Sequence, residues 1–192
     1  MRLSDEIKLE LMKYYRLERN YTLVCTEGIN NADVNAWNGN QLVEVEVKIS
    51  KADFKKEFLT EDNGKNHWKI YKHTNYANPH EHVMNGYIVP HRFYFCVPVA
   101  LGDWAKDYLE DKKSKYGLLV YDKTRWTGQT HIVTYRPAKA LHREELHVRT
   151  KTLLMKRASS ELITAKENLY SCQRALDELR QDKLYINEYE GT

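Results

Sequence analysis

Val43-Glu44-Val45-Glu46-Val47-Lys48-Ile49 alternates at every position, so as a β-strand it carries Val43, Val45, Val47 and Ile49 on one face and Glu44, Glu46 and Lys48 on the other. Upstream, Asp33 opens a second strand-like run that ends at Trp37, and Asn38-Gly39-Asn40 supplies turn residues between the two. The pair reads as a β-hairpin with an acidic face. If Gly39-Asn40 is the two-residue turn, Asn38 pairs with Gln41 and Asp33 lies opposite Glu46. If Asn38-Gly39 is the turn, Asp33 lies opposite Glu44 and diagonal to Glu46. Either register puts the carboxylates on one face, and only a one-residue slip moves Asp33 to the other.

Two carboxylates about 5 Å apart repel by roughly 3 kcal/mol at an effective dielectric near 20, so the pattern calls for a compensating cation. Lys48 is one. A divalent ion held by Asp33 and Glu46 is another, because Mg²⁺ takes one or two carboxylates and fills its remaining positions with water and phosphate oxygens. Such an ion polarises a phosphoryl oxygen and acidifies a bound water, and an ammonium beside it stabilises developing charge. The plainer reading is a solvated strand face, on which alternating Glu and Lys is common.

Asp33 followed by Glu46-Val47-Lys48 resembles the PD-(D/E)XK nuclease superfamily, with Ala32 where the family name has proline. The runs Asn31 to Ala36, Glu46 to Phe54, His67 to Tyr71, Arg92 to Pro98 and Tyr116 to Val120 together resemble, in order and spacing, its MmcB-like DNA-repair branch. The likeness spans roughly Asn30 to Asp122. It implies an α/β core, a central mixed β-sheet flanked by helices as in restriction endonucleases, with the active site at one end of the hairpin. It also implies that Asp33 and Glu46 bind Mg²⁺ or Mn²⁺ and that Lys48 assists catalysis. A further acid from the first helix, Glu10 or Glu6, is a candidate metal ligand, and Lys69 and Tyr71 are expected to approach the site. Insertions at Thr60 to Asn66 and Ala77 to Pro90 are expected to reshape substrate access.

The chain has 192 residues, 42% hydrophobic and 11% aromatic, which suits one core, residues 1–140, with a helical extension over 141–192. Cys25, Cys96 and Cys172 are far apart and odd in number, which disfavours a disulfide framework or a zinc site and points to reduced thiols in the cytoplasm. No apolar run approaches membrane-spanning length, and Met1 to Glu6 reads as the start of an acidic helix. The net charge of +3 is small, but Lys112, Lys113, Lys115, Lys123, Arg125, Arg136, Lys139, Arg143, Arg149, Lys151, Lys156 and Arg157 follow the core with few acids between them. With Trp126 and Tyr135 among them, they suit phosphate contact and base stacking on DNA; scattered over several faces, they are ordinary solvated charges.

Ser4 to about Arg19 reads as an amphipathic helix capped by Ser4, and Tyr21 to Cys25 as the first strand. Ser50 caps a short helix carrying Phe54 and Phe58; His67 to Tyr76 and Gly102 to Asp111 read as helices, Arg92 to Pro98, Leu118 to Tyr121 and His131 to Tyr135 as strands. His80, His82 and His91 fall in an expected loop or hairpin, as surface histidines rather than zinc ligands.

In the tail, Val148, Met155, Ala158, Leu162, Ala165, Leu169, Cys172, Leu176, Leu179 and Ile186 follow one three-four series broken only by Lys151 and Lys183. This is a heptad seam. Ser159-Ser160 divides it into a helical hairpin, or it runs unbroken and pairs with a second chain, or it lies across its own sheet.

The expected function is a Mg²⁺- or Mn²⁺-dependent deoxyribonuclease, acting endonucleolytically in DNA repair or processing, with DNA as substrate and a homodimer formed through the tail. The alternatives are a nucleic-acid-binding accessory module that cuts poorly, and a scaffold protein working through its tail.

Overall fold

The computed structural model describes residues 2–58, 67–84, 88–125 and 130–190. The Thr60 to Asn66 insertion, Trp126 and the side chains of His82, Lys183 and Ile186 lie outside what is described.

Helix α1 (Leu3–Lys13) starts one residue before Ser4, so Arg2 and not Ser4 holds the N-cap position. The Arg2 carbonyl accepts from the amides of Asp5 and Glu6 (both 3.1 Å), and Ser4 is already inside the helix. After Lys13 the chain widens into a π-helical turn (Tyr14–Glu18) that buries both Tyr14 and Tyr15. Asn20, in the left-handed region at φ 55°, ends it.

A six-stranded mixed sheet follows, β1 (Leu23–Thr26), β2 (Val34–Trp37), β3 (Leu42–Val47), β4 (Arg92–Pro98), β5 (Gly117–Tyr121) and β6 (Ile132–Arg136), arranged in chain order. β1, β2 and β3 form an antiparallel meander, β3, β4 and β5 run parallel, and β6 returns antiparallel. Parallel neighbours require crossovers. The first runs through α2 (Lys51–Lys55, extended as a 3-10 turn to Phe58), α3 (His67–Ala77) and α4 (Pro79–Met84), the second through α5 (Gly102–Asp111). This is the α/β architecture expected, a mixed sheet flanked by helices with a long C-terminal helix, α6 (Val148–Glu190).

The β2–β3 turn settles the register. Asn38 N–H donates to the Gln41 carbonyl (3.2 Å), and Gly39 takes φ 99°, which a side chain would resist. Asn38 Oδ1 accepts from the amides of Asn40 (3.0 Å) and Gln41 (2.8 Å), closing the turn. Val34 thus pairs with Val45, the register expected from a Gly39-Asn40 turn, and β2 begins one residue after Asp33.

Alternation then sorts the two faces. Val43, Val45 and Val47 pack with Ile7 and Leu11 of α1 and with Tyr14 and Tyr15. On the other face Phe93, Phe95, Val97, Leu118 and Val120 meet Ala105 and Leu109 of α5, Phe54 from α2 and Tyr76 from α3. A third cluster joins Cys25, Leu42 and Leu146 to Leu154 of α6.

Helix α6 is unbroken over 43 residues, so the two-helix hairpin is not formed. Serine is tolerated in an exposed helix, and no Gly or Pro intervenes. Only its first turns lie on the sheet, where Arg157 Nε donates to the Thr26 carbonyl (2.9 Å) and Thr26 N–H donates to Glu161 (2.9 Å).

Two histidine expectations are corrected. His80 and His82 belong to α4 rather than to a loop. His91 is buried: its Nδ1 accepts the Leu42 amide (3.0 Å) and its Nε2 donates to the Glu144 carbonyl (2.8 Å). It ties the segment before α6 to the head of β3, and burial lowers its pKa to about 4. Among the described residues no helix is long and apolar enough to cross a membrane.

Candidate functional site

β3 lies between β2 and β4 with all six of its positions buried. Its charged side is therefore not a solvated face. Glu44 and Glu46 stand beside Phe93 and Phe95 of β4, and Lys48 follows where β3 ends. Above them α3 presents Lys69, Lys72, His73 and Tyr76, spaced so that all four share one helical side. The Ser50 hydroxyl accepts the Asp53 amide (3.1 Å), starting the short helix that buries Phe54 and returns Glu57 to the same place.

These residues form one polar network under the sheet. Lys72 Nζ pairs with Glu44 and with Glu46 Oε1 (2.6 Å). Lys48 Nζ lies 3.4 Å from Glu46 Oε2 and 2.7 Å from Glu57 Oε1. Lys69 also pairs with Glu57. Tyr76 OH donates to Glu44 Oε2 (2.6 Å), and Asn30 Nδ2 donates to Tyr76 OH (2.9 Å). His73 Nε2 lies 3.1 Å from Glu57 Oε2, and a carboxylate only accepts; Nδ1 is then left to accept from Tyr116 OH (2.8 Å). The Lys72 ammonium also sits 5.4 Å from the centre of the Phe93 ring, a favourable contact for a buried cation. The side-chain amide of Asn35, opposite Glu44 and fully buried, has no hydrogen-bond partner among the described residues.

The electrostatics follow from burial opposed by these pairs. Burial pushes the Glu46 carboxyl above its ordinary value, and Glu44 adds to the push, while Lys72 and Lys48 pull it back only in part. At Glu57 burial acts in the same direction, but the His73 hydrogen bond and Lys48 outweigh it and hold the carboxyl low. Burial alone would lower the lysines; Glu46 and Glu57 keep Lys48 high, and Glu44 and Glu46 keep Lys72 high. Glu46 is thus less fully compensated by its surroundings than Glu57.

The expected site residues are gathered in part. Glu46 and Lys48 are in contact, whereas Asp33 lies just before β2 and no contact joins its carboxylate to Glu46 among the described residues. The Asp33 carboxylate is engaged from the α1 side, by Lys8 (2.8 Å) and by the amide of Val47 (2.7 Å), which it accepts where β2 has ended. Its charge also raises the pKa of the buried Cys96 thiol, after burial itself. Glu10 is elsewhere: it pairs with Lys13 (2.7 Å) and accepts the His131 amide (3.1 Å). Glu6 accepts from Tyr121 OH (2.6 Å) and pairs with Lys123 (2.7 Å). Neither shares a partner with Asp33 or Glu46, and among the described residues no group of three His, Cys, Asp or Glu is gathered to hold a metal ion. Lys69 joins the site as expected, whereas Tyr71, 40% exposed, lies off the inward stripe of α3.

A cleft of about 660 Å³ reaches this network from outside, lined by Glu57, His73, Tyr76 and Tyr116, with Lys112 and Lys115 at its edge. Three of the expected basic residues are engaged within the chain. Arg136 donates to the carbonyls of Tyr116 and Ser114 (both 2.6 Å), Lys151 pairs with Glu145 (2.6 Å) and Lys123 with Glu6. Tyr135, expected to stack on bases, packs against the core beside Gly102.

Glu57, Lys72, His73 and Tyr76 escaped the sequence reading, which placed Glu44 on the acidic face without a role in the site. The available signal was the spacing Lys69, Lys72, His73, Tyr76, a polar helical stripe facing an acidic strand. No protein-family model matches this chain, and no curated protein matches it.

Proposed function

We propose that the protein is a divalent-metal-dependent DNA nuclease of the PD-(D/E)XK type, cutting phosphodiester bonds at the end of the β2–β3 hairpin. The observation that carries this reading is the convergence at the end of β3: Lys48 contacts Glu46, and Asp33, just before β2, accepts the amide of Val47, the residue between them. The donor chemistry fits Mg²⁺ or Mn²⁺. Asp33 and Glu46 offer hard oxygens, and each oxygen retains acceptor capacity beyond its one protein partner. Glu46, its pKa raised by burial, gains from another cation.

Asp33 and Glu46 are the residues that would hold the ion, which when bound supplies a Lewis acid for the phosphoryl oxygen and a more acidic water. Lys48, kept charged by Glu46 and Glu57, provides a fixed ammonium for negative charge developing on phosphate. Glu57, held ionised, anchors Lys48 and Lys69 so that they need no reorganisation when the charge appears. Lys112 and Lys115 at the edge of the cleft supply phosphate contacts for the flanking backbone.

A second reading, a DNA-binding accessory module without cleavage, is favoured by Lys72, whose ammonium already bridges Glu44 and Glu46. The test separates the two. The full chain is incubated with single-stranded, duplex and branched DNA in Mg²⁺, Mn²⁺ or chelator, beside Glu46→Gln and Asp33→Asn, with thermal melting to verify folding. Metal-dependent cutting lost in both variants supports the nuclease. Absence of cutting on every substrate, with binding that weakens steeply as salt rises, supports the accessory module instead.

A further inference from the structure

Beyond Glu161, helix α6 leaves the sheet, and every residue from 162 to 180 is exposed. Leu162, Leu169, Leu176 and Leu179 are 57, 56, 54 and 61% exposed. With Ala165 and Cys172 they form a continuous seam: Leu162, Leu169 and Leu176 occupy heptad position a, and Ala165, Cys172 and Leu179 position d. In proteins most helical stability comes from packing an apolar face against a partner. Ser159-Ser160 does not fold it back, and among the described residues Leu154 and Ala158 make its apolar contacts with the body of the chain.

We propose that this seam pairs with the same seam of a second copy of the chain, in a parallel, in-register, two-stranded coiled coil. The flanking charges select both partner and direction. The e positions are Lys166, Gln173 and Arg180, and the g positions are Glu161, Asn168 and Ala175. Every cation lies on one flank and none on the other. A parallel pair sets each cationic e flank against the cation-free g flank of the second copy, whereas an antiparallel pair sets the two e flanks, with Lys166 and Arg180, against each other. Ala165 and Cys172 leave room at d for close approach between the leucine layers. Because α6 is anchored to β1 at its N-terminal end through Arg157 and Glu161, a parallel coil keeps both cores at one end. That two catalytic sites then work side by side rests on the proposed function; the pairing itself does not.

An in-register parallel coil also places each d residue opposite itself, so Cys172 meets Cys172 of the second copy. Sedimentation equilibrium of the full chain over rising concentration is expected to reach twice the 22.8 kDa chain mass. The variant carrying Leu169→Lys and Leu176→Lys is expected to remain at 22.8 kDa while melting as a folded protein, since both positions are exposed on the single chain. Treatment with diamide, which takes up the two protons and two electrons released as two thiols join, is expected to give a covalent dimer from the wild type and none from Cys172→Ser. Cys25 and Cys96 are buried and stay out of this reaction. A mass of 22.8 kDa at every concentration overturns the proposal, as does an assembly larger than a dimer. A dimer that diamide fails to link through Cys172 overturns the parallel register.

Discussion

The inner side of β3 and the outer side of α6 reverse the usual distribution of residues. Glu44 and Glu46 are 0 and 8% exposed, whereas Leu162 and Leu169 are 57 and 56% exposed. Both regions follow a clean period, two in the strand and three-four in the helix, and both patterns are interrupted by nothing but their own chemistry. What differs is the state of their partners. The charges of β3 have theirs inside the same chain, from α3 and the turn after α2, while Leu162, Leu169, Leu176 and Leu179 of α6 have none among the described residues. A buried charge paired to satisfaction is tolerated, and an exposed apolar stripe is a surface still to be covered.

The sharpest way to break the comparison is to remove one buried partner. Lys72→Met fills similar volume but leaves Glu44 and Glu46 facing each other without their shared ammonium. Denaturant melts at neutral pH are expected to show a loss of about 3–5 kcal/mol. A change below about 1 kcal/mol would mean that the carboxylates find other compensation.

A milder probe is pH, read at His91. Its pKa is lowered to about 4 from an ordinary value of 6.5, so the unfolded chain binds the proton more readily than the folded one. The stabilisation from a neutral His91 is complete above about pH 6.5 and is lost as pH falls toward about 4. Stability measured between those values is expected to fall with acidification more steeply in the wild type than in His91→Gln. Equal slopes would remove His91 as the cause. Glu57 acts in the same direction lower down: its depressed pKa contributes stability above the ordinary glutamate value of 4.5 that is lost on further acidification.

The smallest effect belongs to the other region. At concentrations where the chain is a monomer, Leu169→Lys is expected to change unfolding stability by less than about 0.5 kcal/mol, because the side chain is already more than half in water. A large loss would show that α6 packs on something within its own chain.

Much of this molecule was legible beforehand. The hairpin, its register alternatives, the strand order along the chain, the Gly102–Asp111 helix and the Ser50 cap depend on turn residues, caps and periodicity, all local properties. Within the candidate site, the contact of Glu46 with Lys48 was legible because strand alternation fixes which residues share a face, whereas Asp33 leaves that alternation just before β2 and turns its carboxylate to Lys8 and the Val47 amide. Glu57 and Lys72 were not, because they arrive from separate elements whose approach depends on how the crossover folds back. Glu10 was misplaced for the same reason: its helix lies under the valine face, where His131 and Lys13 engage it.

By itself, then, the sequence determined the elements and their two-faced character, since alternation and heptad spacing are consequences of backbone geometry alone. Only the tertiary structure decided which faces meet. It buried the charges of β3 because α3 supplied Lys72, His73 and Tyr76 at contact distance, and it left the α6 seam in water because the helix outruns the sheet. Burial is a property of distant segments brought together, and no local spacing carries it.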